Sequence, residues 1–280
     1  MRPVDVYIEN TMKKLLHLIC FIAGLSLVYL YLTTPAVSPS YLDSKAKLSP
    51  NTVTTDHEFV SVLKEINKRN ARISSLICQN VDIKIKTKLS TSLDASLAFE
   101  REKKFRMSVK SFIGNEMDIG SNDTHFWFWS KRMKPPALHY AKHSDIHKTM
   151  LKAPLNPLWL IECMGIGEIK TKNVKVGTIR GHWAVIEERT SNGKPITKVT
   201  LNDRTYKRII AHYLYNKKGK MEASCEVTKF HKIGEHYIPA NMIIIWYSEG
   251  VHMEWTLNSP RIDVGLDPKN WKMPEMDHMI

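Results

Sequence analysis

Three histidines at four-residue intervals form the pattern in this sequence that could most readily hold a metal ion. They are His139, His143 and His147, with Asp145 among them. On a helix their side chains would share one face, as a zinc site requires. Residues 137–141 have extended character after two prolines, however, and an extended backbone breaks that alignment. The sequence therefore favours solvated histidines over a metal site, and a zinc hydrolase is the least favoured hypothesis.

Patterns for other catalytic chemistry are weak. The chain has no G-x-S-x-G nucleophile elbow. Its Gly165-Ile166-Gly167 lacks the further glycine and the lysine of phosphate-binding loops. Glu187 and Glu188 are adjacent, so on a strand they point to opposite faces and cannot act as an acid–base pair. We therefore expect a protein that is not an enzyme and that needs no cofactor.

The charge of the chain favours anionic partners. The formal net charge is +13 over 280 residues, and the basic residues are scattered rather than gathered into a nucleic-acid motif. An anionic membrane surface is thus the expected charged partner, and nucleic acid is not. Of the four cysteines, Cys20 lies in an apolar N-terminal run, while Cys78, Cys163 and Cys225 are far apart. Buried free thiols are favoured, with a disulfide among these three as the alternative.

The most distinctive stretch is four consecutive aromatics, Phe126, Trp127, Phe128 and Trp129. Residues of this kind favour a strand, on which alternate side chains point to opposite faces. Each face then carries two aromatics. Both faces of this strand must therefore meet something apolar: a core on one side, and a helix, a second sheet or a lipid on the other.

The N-terminus has the features of an export signal. Residues 1–14 end in Lys13-Lys14, and residues 15–32 form an uncharged apolar run. The positive-inside rule keeps the two lysines cytoplasmic, so we expect an uncleaved signal anchor, with a cleaved signal peptide as the alternative. Residues 33–54 are polar and contain serine, threonine and proline, as a tether does. The remaining domain is residues 55–280.

Two helices are predicted in that domain. Residues 56–76 carry apolar side chains at helical spacing, including Phe59, Leu63 and Ile66, opposite a charged face. A second, short helix begins near Asn156-Pro157 and ends at Gly165. It is apolar nearly all round and must therefore be buried, for which the mouth or interior of a curled sheet is suitable.

Alternating apolar and polar residues predict an antiparallel sheet of about eleven strands. Residues 81–86 and 105–110 each place apolar side chains on one face and mainly charged ones on the other. A sheet so wide curls. The other predicted strands are residues 93–99, 125–129, 183–190, 198–201, 206–215, 221–230, 237–247 and 252–257.

In its order of elements, the chain resembles the LolA/LolB family of lipoprotein carriers. The helix ending Asn70-Ala71-Arg72-Ile73-Ser74-Ser75-Leu76 is similar to the family's opening helix. Residues 97–106, LAFEREKKFR, are similar to its R-P-x-x-F-R element, and residues 125–129 to its aromatic strand. Residues 260–274 resemble its closing strand and F-x-x-P ending, with Trp271 in place of phenylalanine.

The resemblance implies a mostly β fold with a few helices. It would be an unclosed, or half, antiparallel β-barrel lidded by helices over an apolar cavity for acyl chains. Arg101 matches the family's lid-holding arginine, although Glu102 stands where the family has proline. With the apolar N-terminal run, the resemblance implies a domain facing the periplasm from the inner membrane, or a periplasmic protein if the signal is cleaved.

The leading hypothesis is therefore a binder of lipid or lipoprotein acyl chains that serves lipoprotein transport or acceptance. Its rival is a tethered periplasmic sensor or interaction module on the same fold, whose own side chains fill the barrel. A vacant apolar hollow would favour the first, and a filled interior the second. Trp127 and Trp129 are preferred for the cavity over Phe126 and Phe128. The other expected lining residues are Ile83, Ile85, Phe105, Met107, Val109, Trp159 and Leu160.

Overall fold

The computed structural model describes residues 57–86, 91–101, 103–111, 114–131, 137–148, 157–191, 194–247 and 250–275. The N-terminal segments 1–14, 15–32 and 33–54 lie outside these ranges, so the predictions for them stay predictions. Within the described ranges, no helix has both the length and the apolar character that crossing a bilayer requires.

The described chain consists mainly of strands. Its α-helices are α1, His57–Ala71, and α2, Pro157–Cys163, and 3-10 helices cover His143–Lys148 and Pro268–Trp271. The strands are β1 Ser75–Lys86, β2 Thr91–Glu100, β3 Lys104–Ser111, β4 Gly114–Ser121, β5 His125–Ser130, β6 Leu138–Lys142, β7 Lys175–Ile179, β8 His182–Ser191, β9 Lys194–Asp203, β10 Arg208–Asn216, β11 Met221–Ile233, β12 His236–Trp246, β13 Val251–Asn258 and β14 Arg261–Ile262.

All the described strands belong to one antiparallel sheet made of two meanders. Its order is β6-β5-β4-β3-β2-β1-β13-β12-β11-β10-β9-β8-β7, with β14 paired to β1. The first meander runs outward from β1 to β6, and the second returns from β7 to β13, which pairs with β1. In the described ranges β6 and β7 are the two ends of this order and do not pair with each other. The sheet is therefore unclosed, as predicted.

Helix α2 shows that the sheet is curled. It packs against both β4 and β10, which have six strands between them. In a flat sheet those strands would lie about 34 Å apart, at roughly 4.8 Å per strand. A seven-residue helix is only about 10 Å long. One such helix can reach both strands only if the sheet bends around it, so α2 lies on the concave face.

The alternation of the sequence decides which side chains face α2. In β1, Val81, Ile83 and Ile85 are buried while the intervening residues are exposed. Ile83 pairs across the ladder with Trp255, and Ile85 pairs with Met253. These side chains belong to one hydrophobic cluster that also contains Trp159 and Leu160 of α2. The predicted inward face of this strand is the concave one.

The strand count and the end of the first helix differ from the predictions. The additional strands are β4 and β7, while β6 lies in the segment of extended character and β14 in the segment similar to the family's closing strand. Helix α1 ends at Ala71 instead of residue 76, because the chain turns there and begins β1 at Ser75. Phe59, Leu63 and Ile66 pack against β8 and β10, in a cluster with Trp183, Val185 and Ile209.

Gly120 makes room for an indole ring on the convex face. It pairs with Trp127 of β5, and a Cβ placed on Gly120 would overlap that ring. Only glycine allows β4 and β5 to pair here with Trp127 fully buried.

We expect Gly120→Ala to lower the free energy of unfolding by about 1–3 kcal/mol, as overpacking does in well-packed cores. Gly265→Ala is the matched control, because Gly265 has nothing within 4 Å of the Cβ position. Urea unfolding of both variants gives the comparison. Equal midpoints for the two variants would contradict this account of Gly120.

Candidate functional site

The candidate site is the concave face of the sheet together with α2. The expected lining residues of β1 and β3, namely Ile83, Ile85, Phe105, Met107 and Val109, lie in one cluster with Trp159 and Leu160. The structure therefore brings together seven of the nine residues that the sequence proposed.

The other two residues, Trp127 and Trp129, lie apart from this cluster, and the alternative pair takes their place. Phe126 and Phe128 belong to the concave cluster, whereas Trp127 and Trp129 point to the convex side. The indole of Trp127 donates to Asp118 Oδ1 at 2.6 Å, and Asp118 also accepts from Arg106 and Ser108. The 3-10 helix Pro268–Trp271 packs against β3 on this side, where Arg106 donates to the Asn270 carbonyl. The 3-10 helix thus lies on the same side of the sheet as the two tryptophans, and Pro274 lies in one pocket with Trp129, so the convex side of β5 also meets protein.

The concave face is filled rather than vacant. Phe105 is 0% exposed, Leu160 1% and Trp159 5%, so α2 and the sheet exclude water from each other. Two pockets of the described residues, of about 670 and 350 Å³, lie elsewhere and are mainly polar. The expected empty hollow is therefore not a feature of the described structure.

A buried ion-pair cluster connects α2 to β8 and β9. Glu162 is the only charged residue of α2. Its carboxylate accepts from Lys198 Nζ and from an Arg189 guanidinium nitrogen, each at 2.8 Å. Arg189 also pairs with Glu187 at 2.7 Å. One charged side chain of a short apolar helix is thus matched by cations on the sheet.

His212 of β10 completes this cluster. Its Nε2 lies 2.9 Å from the Glu162 backbone oxygen, and its Nδ1 lies 3.1 Å from the Thr200 hydroxyl. The imidazole is buried, and burial, together with the nearby Lys198, lowers the pKa of His212 to about 3. Burial alone would raise the pKa of Glu162, but Lys198 and Arg189 outweigh it and lower that pKa to about 2. At neutral pH the histidine is therefore neutral and the glutamate ionised.

Arg101 joins the end of α1 to the sheet. Its Nε donates to the Ile73 carbonyl at 2.6 Å, and an Nη donates to the Asn70 carbonyl. The Asn70 side chain in turn donates to the Gly165 carbonyl, just after α2, at 2.8 Å. Asn67 exchanges two hydrogen bonds with the backbone of Ile169, at 2.7 and 2.9 Å. These contacts connect α1, the segment after α2 and the end of β2. The role of Arg101 in holding a lid stays a prediction.

The described cysteines and histidines do not gather into a second site. Cys78, Cys163 and Cys225 are free and buried, and burial together with contact with Cys225 raises the pKa of Cys163. His139 lies in β6 while His143 begins a 3-10 helix, so the two do not share the helical face that a zinc site would need. Among the described residues, no group of three or more potential ligands could hold a metal ion.

The Glu162 cluster was missed because its members come from three separate strands and a helix. Two of its members can be recognised in the sequence. Glu162 interrupts the apolar run of residues 158–164, and His212 interrupts the mainly apolar run of residues 208–215. A charged or ionisable residue inside an apolar segment requires a buried partner. The partner's identity, however, depends on the register of β8, β9 and β10.

Comparison with known proteins identifies the fold. No protein-family model matches the chain, and no curated protein does either. Among the solved structures of similar fold, three match over about three quarters of it. A putative outer membrane lipoprotein-sorting protein domain from Vibrio parahaemolyticus is 11% identical with a TM-score of 0.55, over 76% of this chain and 95% of that one. A DUF1329 family protein from Desulfovibrio piger is 12% identical with a TM-score of 0.55, over 77% and 96%.

The third structure is a LolA superfamily protein from Nitrosomonas europaea, 11% identical with a TM-score of 0.50 over 76% of this chain and 96% of that one. The curled, unclosed antiparallel sheet with its few helices is thus a LolA-like fold. At this identity the likeness is one of fold, and the residues of the site have to be argued from this chain.

The buried cluster predicts loss of stability in acid. Below pH 6.5 the unfolded chain protonates His212, but the folded chain does so only near its pKa of about 3. The unfolded state then binds more protons, so stability falls as the pH falls. The contribution of Glu162 to stability is complete above pH 4.5 and is lost as the pH drops through its folded pKa of about 2.

Urea unfolding between about pH 7 and pH 4 should show the decline in stability that His212 causes. His212→Gln should reduce the slope of stability against pH by up to about 1.4 kcal/mol per pH unit. Parallel profiles for the two proteins would contradict it.

Arg101→Lys should loosen α1. Lysine cannot reproduce the forked donation to two carbonyls, so we expect a loss of about 1–3 kcal/mol of stability and faster hydrogen exchange in residues 57–71. Arg72→Lys is the control at the same helix end, because its pair with Glu235 is 54% and 52% exposed and contributes little. Unchanged exchange in Arg101→Lys would show that Arg101 does not hold the helix.

Proposed function

We propose that this protein binds acyl chains of lipids or lipoproteins in the concave face of its sheet, and that α2 withdraws to admit them. The observation that carries the proposal is α2 itself. A seven-residue apolar helix lies across the concave face of a LolA-like sheet and is joined to β8 and β9 through one carboxylate.

The binding energy would come from apolar contacts between the acyl chain and the sheet, which replace the contacts between α2 and the sheet. The side chains under α2 are aliphatic and aromatic along β1, β3 and β5. An acyl chain on that surface contributes roughly 0.8 kcal/mol for each CH₂ removed from water. Binding of this kind needs no catalytic group, and the proposal includes none. Because α2 already covers the surface, it reduces the apparent affinity until it moves.

The proposed location follows from the N-terminal sequence. Residues 15–32 would anchor the protein in the inner membrane, with the domain facing the periplasm. Such an address suits transport or acceptance of lipoproteins. The vibrio domain of similar fold is described as a lipoprotein-sorting domain, which supports the proposal. The net charge of +13 favours an anionic membrane surface as a further partner.

A second candidate function is favoured by the filled interior. If α2 never leaves the sheet, the fold is a tethered sensor or interaction module that works through its outer surface. The low exposure of Phe105, Leu160 and Trp159 is what a permanent core requires. The two proposals differ in one property, the ability of α2 to move.

Glu162→Gln tests which of these applies. Removing the carboxylate weakens the attachment of α2 to Lys198 and Arg189, so the acyl-competent state becomes more populated. We expect about tenfold tighter binding of a fluorescent fatty acid by the full, delipidated chain. Glu235→Gln is the control, because Glu235 is 52% exposed and pairs with Arg72 away from α2.

The parent chain and both variants contain residues 15–32, so background binding of the probe to that segment cancels when their affinities are compared. Mass spectrometry of lipid extracts from the untreated protein identifies the natural occupant. If a folded Glu162→Gln variant binds the probe no better than Glu235→Gln, and no lipid is extracted, the acyl-chain proposal fails and the interaction module remains.

A further inference from the structure

A second region of the molecule has the features of a binding site. It is an open cleft of about 670 Å³ between the last turns of α1, the turn joining β9 to β10 and the turn joining β11 to β12. We call it the α1 cleft. Its volume lies within the range of small-molecule sites. It is lined by Glu65, Lys68, Arg69, Arg72, Thr205, Tyr206, Lys207, Lys232, Gly234, Glu235 and Tyr237.

The α1 cleft carries an excess of positive charge. Its two carboxylates are already paired, Glu235 with Arg72 and Glu65 with Lys207 at 2.8 Å. Three cations of the lining, Lys68, Arg69 and Lys232, form no ion pair with the described residues. Lys68 and Lys232 are exposed and can move towards a ligand. The cleft thus offers an anion two free lysines and the charge of Arg69, one of whose Nη atoms already donates to the Lys207 carbonyl.

Two arginines are held rigidly beside these lysines by aromatic rings. The Arg208 guanidinium carbon lies 3.9 Å from the ring centre of Phe230, 4.5 Å from that of Tyr206 and 5.0 Å from that of Tyr237. The Arg69 guanidinium lies 5.3 Å from the same Tyr237 ring. Stacking fixes the plane of a guanidinium while leaving its edge free to donate.

The arrangement has unused hydrogen-bonding capacity. The Nε atoms of Arg69 and Arg208 are buried and have no hydrogen-bond partner among the described residues. Burial lowers the pKa of Arg69 and outweighs the opposing effects of Tyr237, Glu65 and Glu235. The partly buried Arg69 therefore carries its charge at a cost, and an anion in the cleft would reduce that cost.

We propose that the α1 cleft binds a phosphate-bearing anion, either the headgroup of an acidic lipid or a soluble phosphate. A phosphate offers several oxygens to planar guanidinium and ammonium donors at once. The mainly polar lining excludes an acyl chain as the occupant, so this site is separate from the concave face and does not depend on the function proposed there.

Titration of the full chain with inorganic phosphate tests the site directly. We expect saturable binding by calorimetry, and about tenfold weaker binding by the Lys68→Gln/Lys232→Gln double variant. Both side chains are exposed, so the variant should keep the circular dichroism spectrum of the parent. Lys217→Gln/Lys218→Gln removes the same charge at the turn between β10 and β11 and should bind as the parent does. Absence of saturable binding, or equal weakening in the two variants, overturns the proposal.

Lysine acetylation monitored by mass spectrometry separates the two sources of phosphate. The full chain is inserted into phosphatidylcholine vesicles with or without phosphatidylglycerol, or exposed to inorganic phosphate in phosphatidylcholine alone. Slower acetylation of Lys68 and Lys232 with phosphatidylglycerol assigns the site to a lipid headgroup, and slowing by inorganic phosphate alone assigns it to a soluble anion. Equal slowing of Lys217 and Lys218, or no slowing at all, contradicts a specific site.

Discussion

Glu162 enters the interior of the curled sheet as the only charged residue of an otherwise apolar helix, and the arrangement around it depends on the pairing of that carboxylate. A buried carboxylate is tolerated only beside cations, which here come from Arg189 on β8 and Lys198 on β9. Burial and the nearby Lys198 keep His212 neutral beside the Glu162 backbone oxygen, although the carboxylate itself favours the charged imidazole. Hydrophobic burial holds α2 on the sheet but does not fix its position, because apolar contacts have no preferred geometry. The ion pairs of Glu162 with Arg189 and Lys198 fix where along the concave face the helix lies.

The concave face therefore has two parts, one that contacts α2 through apolar side chains and one that carries buried polar and charged side chains. The part formed by β1 to β5 and β11 to β13 is apolar and is covered by Trp159, Leu160 and their neighbours. The part formed by β8 to β10 carries Glu187, Lys198, Thr200 and His212, all of them buried. An acyl chain could replace α2 over the first part but not over the second, where the ion pairs form. Withdrawal of α2 would thus break polar contacts at one end while a ligand restores apolar contacts at the other. A permanent core would make the same contacts without ever exchanging them.

The sequence predicts the sheet well and its polar contacts poorly, for a physical reason. Strict alternation in β1 and β3 correctly oriented Ile83, Ile85, Phe105, Met107 and Val109, because side chains of period two can bury only one face. Alternation fails for β5, where four aromatics make both faces equally apolar. Trp127 could be assigned to the convex side only after the 3-10 helix Pro268–Trp271 was known to pack against β3 there. Strand β4 was missed since Gly120 is needed beside an indole, a contact that local sequence does not reveal. The Glu162 cluster and the α1 cleft likewise join residues distant in sequence.

The central claim is that α2 leaves the concave face when an acyl chain enters it, and hydrogen exchange on residues 157–163 measures this directly. The full chain is compared with and without a saturating long-chain fatty acid. If α2 withdraws, its amides exchange faster in the presence of the fatty acid, while the paired amides of β1 and β13 stay protected. Exchange in α2 that remains slow and unchanged at saturating fatty acid would show that the helix is a permanent part of the core, and would contradict the account.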